Sequence, residues 1–81
     1  MNGLIFVAEY EGRRYEIVKD SNVGFYVIRY EGLGPDTTHD YLQDNLEFAK
    51  ECALDQFGVP PHFWREASPG EGPAYEGISE N

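Results

Sequence analysis

Residues 40–57, DYLQDNLEFAKECALDQF, carry the pattern that decides the fold. Wound at about 100° per residue, Leu42, Leu46, Ala49, Ala53 and Phe57 share one narrow arc, which Phe48 and Cys52 widen on one side. Asp40, Asp44, Glu47, Glu51 and Asp55 lie almost opposite. One apolar stripe and one all-carboxylate stripe predict a helix that lays the first on a core and the second in water. Its ends have signals too. Asp40 followed by Gln43 reads as a capping box, and Asp36, Thr37 and Thr38 are alternative N-caps one turn earlier. Gly58 stands where a C′ glycine belongs, and Pro60 and Pro61 forbid continuation. Like charges along the outer stripe cost a few tenths of a kcal/mol per i, i+4 pair. The helix dipole offsets part of this at Asp40 and Asp44 and opposes Asp55.

Upstream, the period is that of strands. Leu4–Tyr10 is apolar and free of Gly and Pro, Glu11-Gly12 signals a turn, and Arg13–Lys19 alternates. Tyr15 and Ile17 point one way, Arg14 and Glu16 the other, and Val18 breaks the pattern. Asp20-Ser21-Asn22 is the next turn, and Phe25–Tyr30 forms a third strand closed by Glu31-Gly32. Two hairpins in a row make an antiparallel meander. A loop through Gly34-Pro35 then carries the chain to the helix. The expected fold is therefore α+β: a three-stranded antiparallel meander with one helix packed on one face, β-β-β-α, in a single domain over residues 1–65.

Two features do not fit neatly into that scheme. Strands one and three are apolar on both faces: Leu4, Phe6 and Ala8 oppose Ile5 and Val7, and Phe25 and Val27 oppose Tyr26 and Ile28. One sheet face is therefore surplus, to be covered by the C-terminal segment with Phe63 and Trp64 or by a second subunit in a two-fold homodimer. From Glu66 onward, Pro69, Gly70, Gly72, Pro73 and Gly77 alternate with Glu66, Glu71, Glu76 and Glu80, without Lys or Arg. That composition predicts a disordered acidic tail over residues 66–81, with Tyr75 and Ile78 as its only anchors.

Composition narrows the function classes. Fifteen Asp and Glu against six Lys and Arg give 81 residues a formal net charge of -9, which argues against direct contact with nucleic acid or an anionic membrane. A basic protein partner fits better. Cys52 is alone, so no internal disulfide forms and a cytoplasmic setting is expected. The N-terminal apolar run lacks a basic flank before it and does not read as a signal peptide, and no stretch reaches the roughly 20 apolar residues of a membrane span. Six Tyr, five Phe and one Trp make the core strongly aromatic.

Chemistry has little purchase on this chain. His39 and Asp40 adjoin without a nucleophile at a defined distance. His62 sits between Pro61 and Phe63, where local packing is expected, and Cys52 is expected to be an inert thiol on the flank of the apolar arc. Two His and one Cys match no zinc spacing, and carboxylates on a convex helix lack the wrap-around geometry of a calcium loop. Neither EGLGP nor PGEGP is a phosphate-binding glycine motif. No enzyme activity, cofactor or metal is expected.

Residues 38–66, THDYLQDNLEFAKECALDQFGVPPHFWRE, resemble the end of a group of small uncharacterised bacterial proteins through Asp40, Leu42, Gln43, Leu46, Ala49, Lys50, Phe57, Gly58, Val59 and Trp64. The resemblance implies strands followed by a helix and implies no activity. By class, a small acidic Tyr-rich domain with a carboxylate-lined helix is also similar to toxin-neutralising immunity proteins and to inhibitors that occupy nucleic-acid-binding surfaces. The expected function is a non-enzymatic module that engages a basic protein partner through Asp40, Asp44, Glu47, Glu51 and Asp55. The alternative is a homodimeric structural or accessory protein that uses the surplus apolar face.

Overall fold

The computed structural model describes residues 2–75. Five strands form one antiparallel sheet: β1 (Asn2–Tyr10), β2 (Arg13–Asp20), β3 (Gly24–Tyr30), β4 (Thr37–Gln43) and the two-residue β5 (Arg65–Glu66), in the order β4-β3-β2-β1-β5. A single α-helix, α1 (Leu46–Phe57), lies on one face, followed by a 3-10 turn at Pro61–Phe63. The α+β class and the β1-β2-β3 meander are as the sequence predicts; the sheet has five strands rather than three. The first hairpin closes through Glu11 and Gly12, both at positive φ (53° and 77°), a two-residue turn whose twist suits the strands it joins.

The largest correction falls on residues 40–45. The helix begins at Leu46, with Asn45 as N-cap: its Oδ1 accepts from the Phe48 backbone N–H at 2.9 Å. Asp40 and Gln43 form no capping box, because they belong to β4, where Asp40 pairs Ile28 and Gln43 pairs Phe25. Residues 37–43, TTHDYLQ, hold two Thr, a His and a Tyr, all comfortable in extended backbone. As a strand they satisfy the hydrogen-bonding edge that β3 would otherwise leave open. Leu42 misled because it fits both periods; it is 48 % exposed on the face away from α1. The C-terminal end is as expected, with Gly58 left-handed at φ 75° and its N–H on the Leu54 carbonyl.

Between sheet and helix sits the main core. Ala8, Tyr15, Ile17 and Val27 meet Ala49, Ala53 and Val59, and Phe6, Phe25, Tyr41, Leu46 and Trp64 pack around them. The two fully buried alanines let α1 lie close on the sheet. Phe57 closes one end, with ring centroids 5.5 Å from Tyr15 and 5.7 Å from Tyr41. Trp64 packs into this inner core rather than over the surplus face, whereas Phe63 stays exposed and meets Tyr10 edge-on at 4.8 Å.

The opposite face carries a second cluster of Val18, Ile28 and Tyr30, with Leu4, Tyr26, Ala74 and Tyr75 packed against it. Leu4 was expected beside Phe6 and Ala8. A β-bulge between Leu4 and Phe6, which pair Val18 and Ile17, sends it to the other side. The chain itself covers part of this face. Residues 66–75 are not the free tail their composition suggests: β5 pairs Phe6 and Val7, the Ala67 N–H donates to the Ile5 carbonyl at 2.9 Å, and Ala74 and Tyr75 dock on the outer cluster. The remainder of the tail, with the expected anchor Ile78, lies outside the described residues.

Glu16 anchors that docking. It is fully buried on the middle strand, and three donors converge on its carboxylate: Arg14 Nε at 2.6 Å, the Tyr30 hydroxyl, and the Ala74 backbone N–H at 2.9 Å. The Tyr30 oxygen in turn accepts from the Tyr75 N–H at 3.3 Å. Burial, then the bond to Glu16, raises the Tyr30 phenol far above its ordinary range, so it stays a donor. Glu71 adds a second tie, pairing both oxygens with Arg65 at 3.0 and 3.1 Å and accepting from the Ser68 N–H at 2.9 Å.

Three outcomes follow from these ties. Glu16→Ala leaves Arg14 and two further donors without their acceptor and is expected to cost about 3–5 kcal/mol, and Tyr30→Phe about 1.5–3 kcal/mol, both read from urea unfolding. The bond to Arg65, with help from Ser68, lowers the Glu71 pKa from 4.5 to about 2. Its contribution is therefore complete above the ordinary value and is lost as pH falls toward 2. Glu71→Gln should flatten the acid limb of the stability curve in that window and leave the neutral region less stable than wild type.

Candidate functional site

The five carboxylates expected on one helix do not share one surface. Asp40 projects from β4 on the outer sheet face, since its partner Ile28 belongs to the outer cluster. There it lines an open cleft of about 450 Å³ with Asp20, Tyr26, Ile28, Thr37 and Tyr75. Asp44 is exposed in the bend between β4 and the helix N-cap. Only Glu47, Glu51 and Asp55 remain on α1, all exposed and each four residues from the next. The cause is the early strand: extended backbone at residue 40 turns its side chain away from the face that α1 covers.

The three helical carboxylates form a tight row. Successive members rise about 6 Å along the axis and stay on one side of the helix. The row has apolar borders. Phe48, expected to widen the buried stripe, is 48 % exposed, and Leu54 is 45 % exposed. At 100° per residue these two fall on opposite flanks of the row. On the Phe48 side, Gln43, Phe48, Glu51, Cys52, Asp55 and Gln56 enclose a shallow groove of about 300 Å³. Gln43 comes from the end of β4, so the groove lies where the sheet edge meets the helix.

Glu47, Glu51 and Asp55 take part in no ion pair among the described residues. Among the described residues the ion pairs are Arg14 with Glu16 and Glu71, and Arg65 with Glu71. Lys19, Arg29 and Lys50 sit over the rings of Phe25, Phe57 and Phe6 at 4.8, 5.7 and 4.2 Å. Arg14, Lys19, Arg29, Lys50 and Arg65, five of the six basic side chains, are thus engaged within the fold, Lys50 among them although it shares α1 with the acidic row.

The remaining candidates sit apart from one another. His39 is exposed on β4, with Nδ1 3.2 Å from the Thr38 hydroxyl and its ring 6.0 Å from Phe57. His62 rests on Phe63 at 4.9 Å. Cys52 is half-buried on the helix flank, as its place in the arc suggests. Burial raises its thiol pKa, against a partial opposing effect from its hydrogen bond with Gln43, and Asp55 raises it further. Among the described residues, no three His, Cys, Asp or Glu gather as metal ligands would. Nor is any helix among them long and apolar enough to cross a membrane. Glu16 was missed as an organising residue, yet a signal was present: Val18 breaks the alternation of β2 because the outer face is buried too. A carboxylate on a buried face needs partners.

Comparison with protein-family models, curated protein sequences and solved structures found no match to this chain.

The raised thiol pKa at Cys52 has a direct consequence. Alkylation by iodoacetamide near pH 8 should run slower in the folded protein than in urea, with a rate that is still climbing above the pH where an ordinary thiol levels off.

Proposed function

We propose that this chain is a non-enzymatic protein-binding module of the immunity or inhibitor kind, which engages a basic partner through Glu47, Glu51 and Asp55 on α1. The observation that carries this is the row itself: three carboxylates one turn apart, bordered by exposed Phe48 and Leu54 and in no ion pair among the described residues, while five of the six basic side chains pair with other carboxylates or lie over aromatic rings. Such a row matches Lys and Arg spaced to meet phosphates, and the net charge of -9 speeds encounter with a basic surface. Phe48 and Leu54 supply apolar contact for the stems of those side chains. Asp44 borders the row at the helix start, whereas Asp40 faces the other side of the sheet, apart from the helical row. A lone half-buried cysteine suits a reducing, cytoplasmic setting.

Self-association through the outer sheet face has less support. Ala74 and Tyr75 of the same chain pack on Val18, Ile28 and Tyr30, and so occupy part of the surface a second copy would need.

The test is a pull-down from host lysate with wild-type and E47K/E51K baits at low and high salt. A basic protein should be retained by the wild type at low salt and released at high salt. Purified, it should bind the charge-reversed variant about tenfold more weakly or worse. Retention unaffected by charge reversal would reduce the carboxylates to a solvated face.

A further inference from the structure

We propose that the free edge of β4 accepts an extended basic segment of the partner protein as an added strand, which then runs beside the acidic groove of α1. This rests on the function proposed above and specifies how the partner is held.

The two edges of the sheet are treated differently by the chain. The β1 edge is capped by β5 at Phe6 and Val7 and by the bond from Ala67 to Ile5. The β4 edge has no such cover among the described residues, for β4 pairs with β3 alone. An edge strand shows a row of unpaired N–H and C=O groups, and proteins commonly guard it with Lys, Pro or a bulge. Thr37–Gln43 contains neither Lys nor Pro. One register shift, where Tyr30 pairs Thr37 and Arg29 pairs His39, leaves a regular run from His39 to Gln43. Peptides that add to such an edge gain affinity from main-chain bonds and specificity from alternate side chains.

Charge selects the occupant. A strand added about 4.8 Å outside β4 would send alternate side chains to the two sheet faces. Those on the α1 side reach the groove with Phe48, Glu51 and Asp55, and those on the outer side reach Asp40. Carboxylates therefore wait on both faces, and Lys or Arg satisfies either. A second copy of this chain is the wrong occupant: pairing two β4 edges would bring together Asp36, Asp40 and Asp44 of each chain, in a protein of net charge -9.

The probe is a synthetic heptapeptide of alternating Lys and Thr, added to the full-length protein while amide hydrogen exchange is followed by NMR. Two controls separate the contributions: the same peptide with alternate backbone amides N-methylated, and its Glu-Thr counterpart. The expected result is at least tenfold slower exchange at outward-facing amides between His39 and Gln43, with the Lys-Thr peptide only. E51K/D55K should weaken that protection. If the N-methylated peptide binds as well and β4 exchange is unchanged, the added strand is overturned while the acidic row stands as a partner surface. If no Lys peptide binds, both fail. Protection of β4 that grows with protein concentration and without peptide would assign the edge to self-pairing and overturn the proposal.

Discussion

A carboxylate with no exposure to water, in the middle strand of a five-stranded sheet, constrains much of this structure. Glu16 sits between Val7 and Ile28 in the ladder, beside the apolar outer cluster of Val18, Ile28 and Tyr30. Moving an ionised carboxylate into such a place costs several kcal/mol, which only converging donors offset. Arg14 comes from the same strand, Tyr30 from the neighbouring one, and the Ala74 N–H from a segment 58 residues away. The last of these is the informative one, because a sequence-distant backbone group reaches the carboxylate only if the C-terminal segment lies in one position. Replacing the network with hydrophobic residues could be as stable, but it would not tie that segment to one place with the same specificity.

That tie divides the work of the two sheet faces. The inner face holds α1 over an aromatic and aliphatic core closed by Phe57 and Trp64. The outer face is covered in part by the chain's own Ala74 and Tyr75. Glu71 and Arg65 repeat the theme at the surface, joining β5 to the stretch that leads into Ala74. An 81-residue chain has little interior, and using both sides of one sheet is how it buries enough apolar surface.

The distribution of charge follows from the same packing. Basic side chains are few, and most are drawn to buried or ring-lined positions, where each stabilises the fold locally. The exposed charge among the described residues is mainly acidic, and on α1 Glu47, Glu51 and Asp55 are ordered into a row by helical geometry. The β4 edge, open among the described residues, lies along the same side of the molecule as the groove with Phe48, so hydrogen-bonding capacity and negative charge adjoin there.

Local pattern alone is enough for β1 to β3, for the alternation that places Tyr15, Ile17, Phe25 and Val27 inward, and for the helix from Leu46 onward with its stop at Gly58. In each of these, one local period or one turn residue has a single good solution. Residues 40–43 were different, because a few residues fit both a helical arc and a strand, and Leu42 satisfied each. The unpaired edge of β3 decided between them, and with it the loss of Asp40 from the helical row. The bulge before Phe6, the burial of Glu16 and the docking of Ala74 were likewise tertiary decisions. Local pattern sets which side chains seek burial, whereas only the assembled sheet shows which backbone groups and charges still need a partner.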